Sequence, residues 1–147
     1  MNIFTVKTSL DAKEKGVIQE WINDFLDSEG GNRGLLEGLK IKKRYWRGPY
    51  EIDIDKLKRC CGPEKNMEYI VSEEAFEKNV NHLKKIFDQK VELPPLIAEY
   101  VNGCLIVRDG NHRLEALRRC GIKKYWVLVW HNNINDFMFH RYRGENN

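Results

Sequence analysis

The chain has 147 residues, enough for one compact domain and too few for two ordinary ones. It is 41% hydrophobic and 11% aromatic, which excludes wholesale disorder, and 25 Lys and Arg against 22 Asp and Glu leave a net charge of only +3. No apolar run approaches the roughly 18 residues that span a bilayer. The opening Met1-Asn2-Ile3-Phe4 lacks the charged-then-apolar layout of a signal peptide. A single cytoplasmic domain over residues 1–147, with no membrane partner, is expected.

In chain order, the first periodic segment follows Ser9, a suitable N-cap. Val17, Ile18, Trp21, Ile22, Phe25 and Leu26 recur at helical spacing until Gly30-Gly31. This reads as an amphipathic helix, part of an N-terminal helical extension over about residues 1–35. From Leu39 to Cys60 basic residues (Lys40, Lys42, Lys43, Arg44, Arg47, Lys56, Lys58, Arg59) interleave with Tyr45, Trp46 and Tyr50. Arginine beside aromatics can hold a phosphate and a base, which makes Arg47 a candidate ligand contact. The plainer alternative is a solvated basic loop with its aromatics turned inward. The alternation Tyr50, Ile52, Ile54 reads as a short strand. Cys60, Cys61, Cys104 and Cys120 form no Cys-x-x-Cys, so zinc ribbons and thioredoxin-type pairs are not suggested and reduced, mostly buried thiols are expected. Ser72 announces a second helix, with Glu73 and Glu74 in its first turn and Ala75, Phe76, Val80, Leu83, Ile86 and Phe87 on the face turned to a sheet. His82 reads as a surface or boundary residue.

The last third carries the most information. Pro94-Pro95 ends the helix and launches the strand Leu96–Val101. Asn102-Gly103 is a strong hairpin signal, and Cys104–Arg108 returns as the partner strand. Asp109-Gly110-Asn111-His112-Arg113 then enters a short helix with Leu114, Leu117 and Cys120 on one face. Gly121 suits its C′ position, and Tyr125–Trp130 is a strand apolar enough to be covered on both sides. An aromatic, basic tail follows, with helical character near Ile134 to His140. The fold class is mixed α/β (α+β), a mixed sheet flanked by helices around a strand–turn–strand–loop–helix–strand core.

A strand delivering Asp-Gly-Asn-His-Arg into a helix start is a natural anion site. Gly110 permits a sharp turn, and the first helical amides lack internal partners. Arg113 offers a forked cation, and His112 a hydrogen bond or a proton. Asp109 has three available roles: orienting His112, capping the helix, or holding magnesium through water. The catalytic candidates are thus Asp109, His112 and Arg113, and the cofactor-binding candidates are Gly110, Asn111, His112, Arg113 and Arg47. No protein-ligated metal site is expected. Ordinary turn chemistry is the competing account of the pentapeptide. Residues 101–147 hold eight Lys and Arg against four Asp and Glu, a basic half that favours phosphate.

Leu93-Pro94-Pro95-Leu96-Ile97, the hairpin, Asp109-Gly110-Asn111-His112-Arg113-Leu114-Glu115-Ala116-Leu117, Gly121 and the closing strand resemble, in order, the core of the ParB/sulfiredoxin superfamily. The resemblance covers residues 93–130, with Tyr50 to Leu57 similar to the family's earlier strand and short helix. It implies a phosphate-binding loop at a helix N-terminus and a nucleotide cofactor (ATP, ADP or CTP) with Mg²⁺. Members include CTP-binding partition proteins, ATP-using sulfiredoxins, a free-serine kinase and proteins labelled nucleases. Asn111 stands where sulfiredoxins carry their nucleophilic cysteine, so sulfiredoxin activity is not expected. Partition proteins carry Glu and Arg in place of Asn111 and His112 and continue into further domains, so partitioning by this chain alone is not expected. The family's catalytic acid has no definite counterpart; Glu51, Asp53 and Glu64 are candidates by location.

Three functional readings stay open. The leading one is an NTPase or small-molecule phosphotransferase, with a small second substrate. The second is a DNA-binding module or ParB-like nuclease, with Lys40 to Arg47, Arg118, Arg119, Lys123, Lys124, Arg141 and Arg143 on the phosphate backbone. The third is a non-catalytic adaptor that responds to nucleotide. Oligomeric state, pathway and choice of base have no signature in the sequence.

Overall fold

The computed structural model describes residues 3–140. Three short helices come first: α1 (Val6–Glu14), α2 (Ile18–Asp27) and α3 (Arg33–Leu39). Thr5, not Ser9, caps the first. Its hydroxyl accepts the Thr8 amide at 3.1 Å while the Thr8 hydroxyl accepts the Thr5 amide at 3.0 Å, a reciprocal capping box. Ser9 lies inside α1, fully buried. The single expected helix is two, because Gly16 takes the left-handed backbone (φ 76°) that terminates α1 before the Trp21–Leu26 stripe begins. Helix α3 begins within the expected helical extension and runs past its expected end near residue 35. Asn32 caps it by accepting the Leu35 amide, and Leu36 and Leu39 bury its inner face.

Strand β1 (Tyr45–Asp53) starts five residues before the expected strand, and Ile54 opens a single 3-10 turn (Ile54–Lys56) instead of continuing it. Then follow β2 (Leu57–Arg59), β3 (Cys61–Gly62), β4 (Tyr69–Ile70), α4 (Glu73–Asp88), β5 (Leu96–Val101), β6 (Cys104–Asp109), α5 (Asn111–Arg119), β7 (Lys124–His131) and α6 (Ile134–Phe139). Ser72 caps α4 as expected, and the β5–β6 turn is made by Asn102 (φ 49°) and Gly103 (φ 83°), the two positive angles that an Asn-Gly hairpin supplies. Arg141 and Arg143 lie outside the described residues.

The main sheet runs β1-β7-β5-β6-β2, with β5 parallel to β7, β2 parallel to β6, and the other pairs antiparallel. Its central strands are covered on both faces. Leu96, Ala98, Val127 and Val129 meet Leu114 and Leu117 of α5 on one side. Ile97, Leu128 and Trp130 meet Trp21, Ile22, Phe25, Leu26, Leu36 and Leu39 on the other. The N-terminal helices are therefore one whole layer of the core, not an appendage. Helix α4 packs chiefly on α5, through Phe76, Val80 and Ala116, while Phe87 reaches towards the sheet, meeting Tyr125 edge-on at 6.0 Å. Its expected direct seat on the sheet is taken by α5. His82 is exposed. The four cysteines are free thiols, Cys60 buried and the others partly so. Among the described residues no helix is long and apolar enough to cross a membrane.

Leu128 is fully buried against the N-terminal layer, so Leu128→Ala should destabilise the whole domain by about 2–5 kcal/mol in a denaturant titration. One cooperative transition in the variant would show that the helical layer and the sheet unfold together.

Candidate functional site

Strand β6 ends in Asp109, and Gly110 (φ 101°) swings the chain into α5. A Cβ on Gly110 would lie 2.5 Å from Leu96 Cδ2 and 2.7 Å from an Arg113 nitrogen, so both backbone angle and space demand glycine. The first intrahelical bond runs from Leu114 N to Gly110 O at 2.8 Å. The amides before it, those of Asn111, His112 and Arg113, have no carbonyl inside the helix to take.

The N-terminus of α5 opens onto a cleft of about 570 Å³, walled by Asn32, Gly34, Leu35 and Gly38 on one side and by Cys60, Cys61, Tyr69 and Arg108 on the other. A second hollow of about 360 Å³ lies across the loop, between Phe4, Phe25, Glu29 and Leu83. Asp109, Gly110 and His112 line both. Gly34 and Gly38, one helical turn apart, leave the first cleft roomy. A Cβ on Gly38 would meet nothing within 4 Å, and one on Gly34 only Asn32 Oδ1 at 3.7 Å. The space and the helix end fit a nucleotide-sized anion. They do not furnish a protein site for Mg²⁺: among the described residues no three His, Cys, Asp or Glu side chains gather to hold an ion, and Asp109 is engaged by Arg113.

The loop residues divide sharply in role. Asn111 is only 6% exposed. Its side-chain oxygen accepts the amides of Cys60 (2.8 Å) and Cys61 (3.3 Å), and its nitrogen donates to Val107 O at 3.0 Å. It is a suture between α5 and the β2–β3 junction, and its side chain has no capacity left for a phosphate. Arg113, 8% exposed, donates to the carbonyls of Pro94 and Pro95, both at 3.4 Å, and to Asp109 Oδ2 at 3.1 Å. Asp109 thus neither caps α5, whose N-cap is Gly110 without a side-chain bond, nor orients His112. It neutralises Arg113 one turn along.

His112 is the loop side chain that faces the open space. Its ring packs 5.0 Å from that of Phe76, and Phe76 carries the Arg59 guanidinium 4.9 Å from its centre. Burial, and to a smaller degree the Arg59 charge, hold the His112 pKa below the ordinary 6.5. The ring is therefore neutral near pH 7, able to donate from one nitrogen and accept at the other. Burial and the neighbouring Cys60 raise the Cys61 thiol above its ordinary 9.0, which keeps this cleft thiol protonated and weakly nucleophilic.

Arg47 stands elsewhere. On β1 opposite Val129, it lays its guanidinium 3.9 Å from the Phe137 ring centre and donates to Phe137 O at 2.6 Å, and it lines neither hollow. The acidic candidates do not line the cleft either. Glu51 is exposed opposite Trp126, Asp53 sits by Lys123 near the end of α5, and Glu64 is paired with Arg59.

Arg108 is the cleft residue that sequence reasoning missed. Its Nε and Nη2 face Glu99 Oε1 at 3.0 and 2.9 Å, and its Nη1 meets Glu68 Oε1 at 2.8 Å. Glu99 also accepts from Asn132 at 2.7 Å, and Asn132 in turn accepts from Trp130 at 3.1 Å and from Arg44. Strand alternation predicts that Arg108 shares a face with Ile106. Its carboxylate partners, 9 and 40 residues away, leave no local trace.

Two outcomes test this geometry. Because the folded pKa of His112 is depressed, the unfolded chain takes the proton first, and the associated stability is present above pH 6.5 and lost as pH falls below it. The NMR titration midpoint of His112 should lie below 6.5, and Arg59→Gln should recover only the smaller part of the shift. Asn111→Ala, which orphans two amides and a carbonyl, should cost about 1–3 kcal/mol on chemical denaturation.

No family model matches the chain, and comparison with curated proteins finds no match. Among solved structures it is similar to a sulfiredoxin from Arabidopsis thaliana, at 18% identity over 60% of this chain and 91% of that one, with a TM-score of 0.42. A free serine kinase in complex with AMP aligns at 18% identity over 54% of this chain and 30% of its own, with a TM-score of 0.41. A C-terminally truncated chromosome-partitioning protein ParB from Caulobacter crescentus, complexed with CTP-gamma-S, aligns at 23% identity over 59% of this chain and 46% of its own, with a TM-score of 0.42. The chain thus spans less than half of the latter two. Each likeness is partial, at modest identity and over part of each chain.

Proposed function

We propose that this protein is a nucleotide-binding module that responds to its ligand by binding, without transferring a phosphoryl group. The observation that carries the reading is the N-terminus of α5 opening onto a roomy cleft while the loop's own acid and arginine neutralise each other. The phosphates would take the free amides of the first turn and the His112 ring, and the base would lie towards the glycine-bearing face of α3. A transfer reaction asks for a cation and an acid or base free to act on the moving group. Here Arg113 is tied to two carbonyls and Asp109, and Glu51, Asp53 and Glu64 do not line the cleft.

The DNA reading has less support. Arg118 and Arg119 are drawn onto Glu115 and Glu77, Arg44 onto the carbonyls of Gly38 and Leu39, and Arg47 onto Phe137. The exposed Lys40, Lys42, Lys43, Lys123 and Lys124 remain.

The test is a thermal shift with ATP, ADP, CTP and GTP, with and without Mg²⁺, followed by phosphate-release assays. A nucleotide at 100 times its Kd should stabilise the protein by about 2.7 kcal/mol, without turnover. Gly38→Leu, which fills open space in the cleft and removes a helical glycine, should abolish the shift while leaving the ligand-free Tm equal or higher. Affinity should rise as pH falls from 8 to 6, because a bound phosphate favours the protonated His112 that burial disfavours. Steady phosphate release would restore the phosphotransfer reading, and salt-dependent DNA binding without a nucleotide shift would favour the nuclease reading.

A further inference from the structure

The cleft holds one guanidinium with an exchangeable partner. Arg108 has two carboxylates on it, and they are unequal. Glu99 is 17% exposed, covers the Nε and Nη2 edge and is held in place by Asn132. Glu68 is 52% exposed, touches Nη1, and shares a side-chain hydrogen bond with its neighbour Tyr69, itself exposed, where Glu99 is held by the part-buried Asn132. One carboxylate balances the arginine, and the second adds a surplus negative charge at the rim of a cleft whose floor, the α5 N-terminus, favours anions. An exposed ion pair of this kind contributes little, so its replacement by a doubly charged phosphate oxygen cluster is favourable.

Glu68 also belongs to the segment that closes the cleft. The run from Cys61 to Val71 folds on itself through the pairing of β3 with β4, with Val71 N to Gly62 O at 3.0 Å. Its ends are pinned: Asn111 and Arg59 hold Cys61, Arg59 also holds Glu64, Tyr69 N reaches Cys60 O at 2.9 Å, and Val71 packs against Phe76, Val80 and Ala116. Tyr69 lines the cleft, yet Tyr69 and Ile70 are 58% and 62% exposed. Between those ends, the Glu68–Arg108 pair ties this exposed stretch, the β3–β4 flap, to the cleft wall.

We propose that Arg108 is the guanidinium that receives the ligand's anionic group, that it does so by exchanging Glu68 for it, and that the exchange releases the β3–β4 flap. This rests on the nucleotide reading of the cleft and adds its regulation. Glu99 keeps the arginine aimed throughout, so the cation is presented at no further ordering cost. Ligand occupancy is thereby converted into the loosening of a surface segment that bears Tyr69 and Ile70, which is how a protein without turnover would signal a filled site.

The experiment compares wild type, Glu68→Gln and, as a control for loss of one surface charge, Glu14→Gln. Titration calorimetry with ATP, CTP and inorganic pyrophosphate is paired with hydrogen exchange at the Tyr69 and Val71 amides. Glu68→Gln should bind about two- to five-fold more tightly than wild type, and Glu14→Gln should not differ from it. Ligand should accelerate exchange at Tyr69 and Val71 in wild type, and Glu68→Gln should show that faster exchange without ligand. Binding of equal strength in wild type and Glu68→Gln, or ligand-slowed exchange at both amides, overturns the exchange of partners and leaves the nucleotide reading standing. Absence of binding to all three proteins with every probe removes both.

Discussion

The site depends on one buried side chain. Asn111 begins α5 and faces inward, where a single amide group satisfies two backbone N–H groups of the β2–β3 junction and one carbonyl of β6. Backbone polar groups buried at such a junction are costly unless paired. Without this suture the chain after β2 would have no reason to run beside the end of α5, and the cleft would lack the wall formed by Cys60, Cys61 and Tyr69. The residue that stands in the middle of the anion-binding motif is therefore the one that builds the pocket instead of lining it chemically. Its two neighbours divide the rest of the work. Gly110 gives the turn, and Arg113 locks it to the Pro94-Pro95 carbonyls.

The arginines show how much of the chain's positive charge is committed within the fold. Arg59 is held by Glu64 and Glu115, Arg108 by Glu68 and Glu99, Arg113 by Asp109, and Arg119 by Glu77 and Glu115. Forked guanidiniums bridge two carboxylates where lysines cannot, so the charge is spent inside the fold on fixing loops and helix faces. Counting cations along the chain overstates what a polyanion would meet.

Legibility in the sequence followed the range of the interaction. The β5–turn–β6–α5–β7 core was readable because each part carries a local signal: Asn102-Gly103 for the hairpin, Gly110 and Gly121 around a helix, and an unbroken apolar strand in β7. Helix α4 was readable from Ser72 and its acidic first turn. The break between α1 and α2 rests on the backbone angle of a single glycine, Gly16, and the start of α1 was misplaced because the Thr5–Thr8 capping box competes with Ser9, which is buried inside the helix. Helix α3 was hidden by its glycines, whose low propensity is overridden by Leu36 and Leu39 packing on the sheet. At the site, His112 lines both hollows. The partners of Asn111, Arg113 and Arg108 come from other strands and loops, so their commitments were invisible, and Arg47 was drawn 90 residues along the chain to Phe137.

The layer made by α1, α2 and α3 has a consequence for synthesis. Its apolar face is complete once residue 39 has emerged, yet the sheet positions it covers, Ile97, Leu128 and Trp130, are made last. During translation Trp21, Ile22, Phe25 and Leu26 therefore wait with only one another and near neighbours such as Phe4, Ala12, Leu36 and Leu39 for cover. Contacts of such long sequence separation are closed late and slowly. The nascent chain thus carries an adhesive stripe until β7 clears the ribosome, which makes that stripe a segment for a holding chaperone to cover.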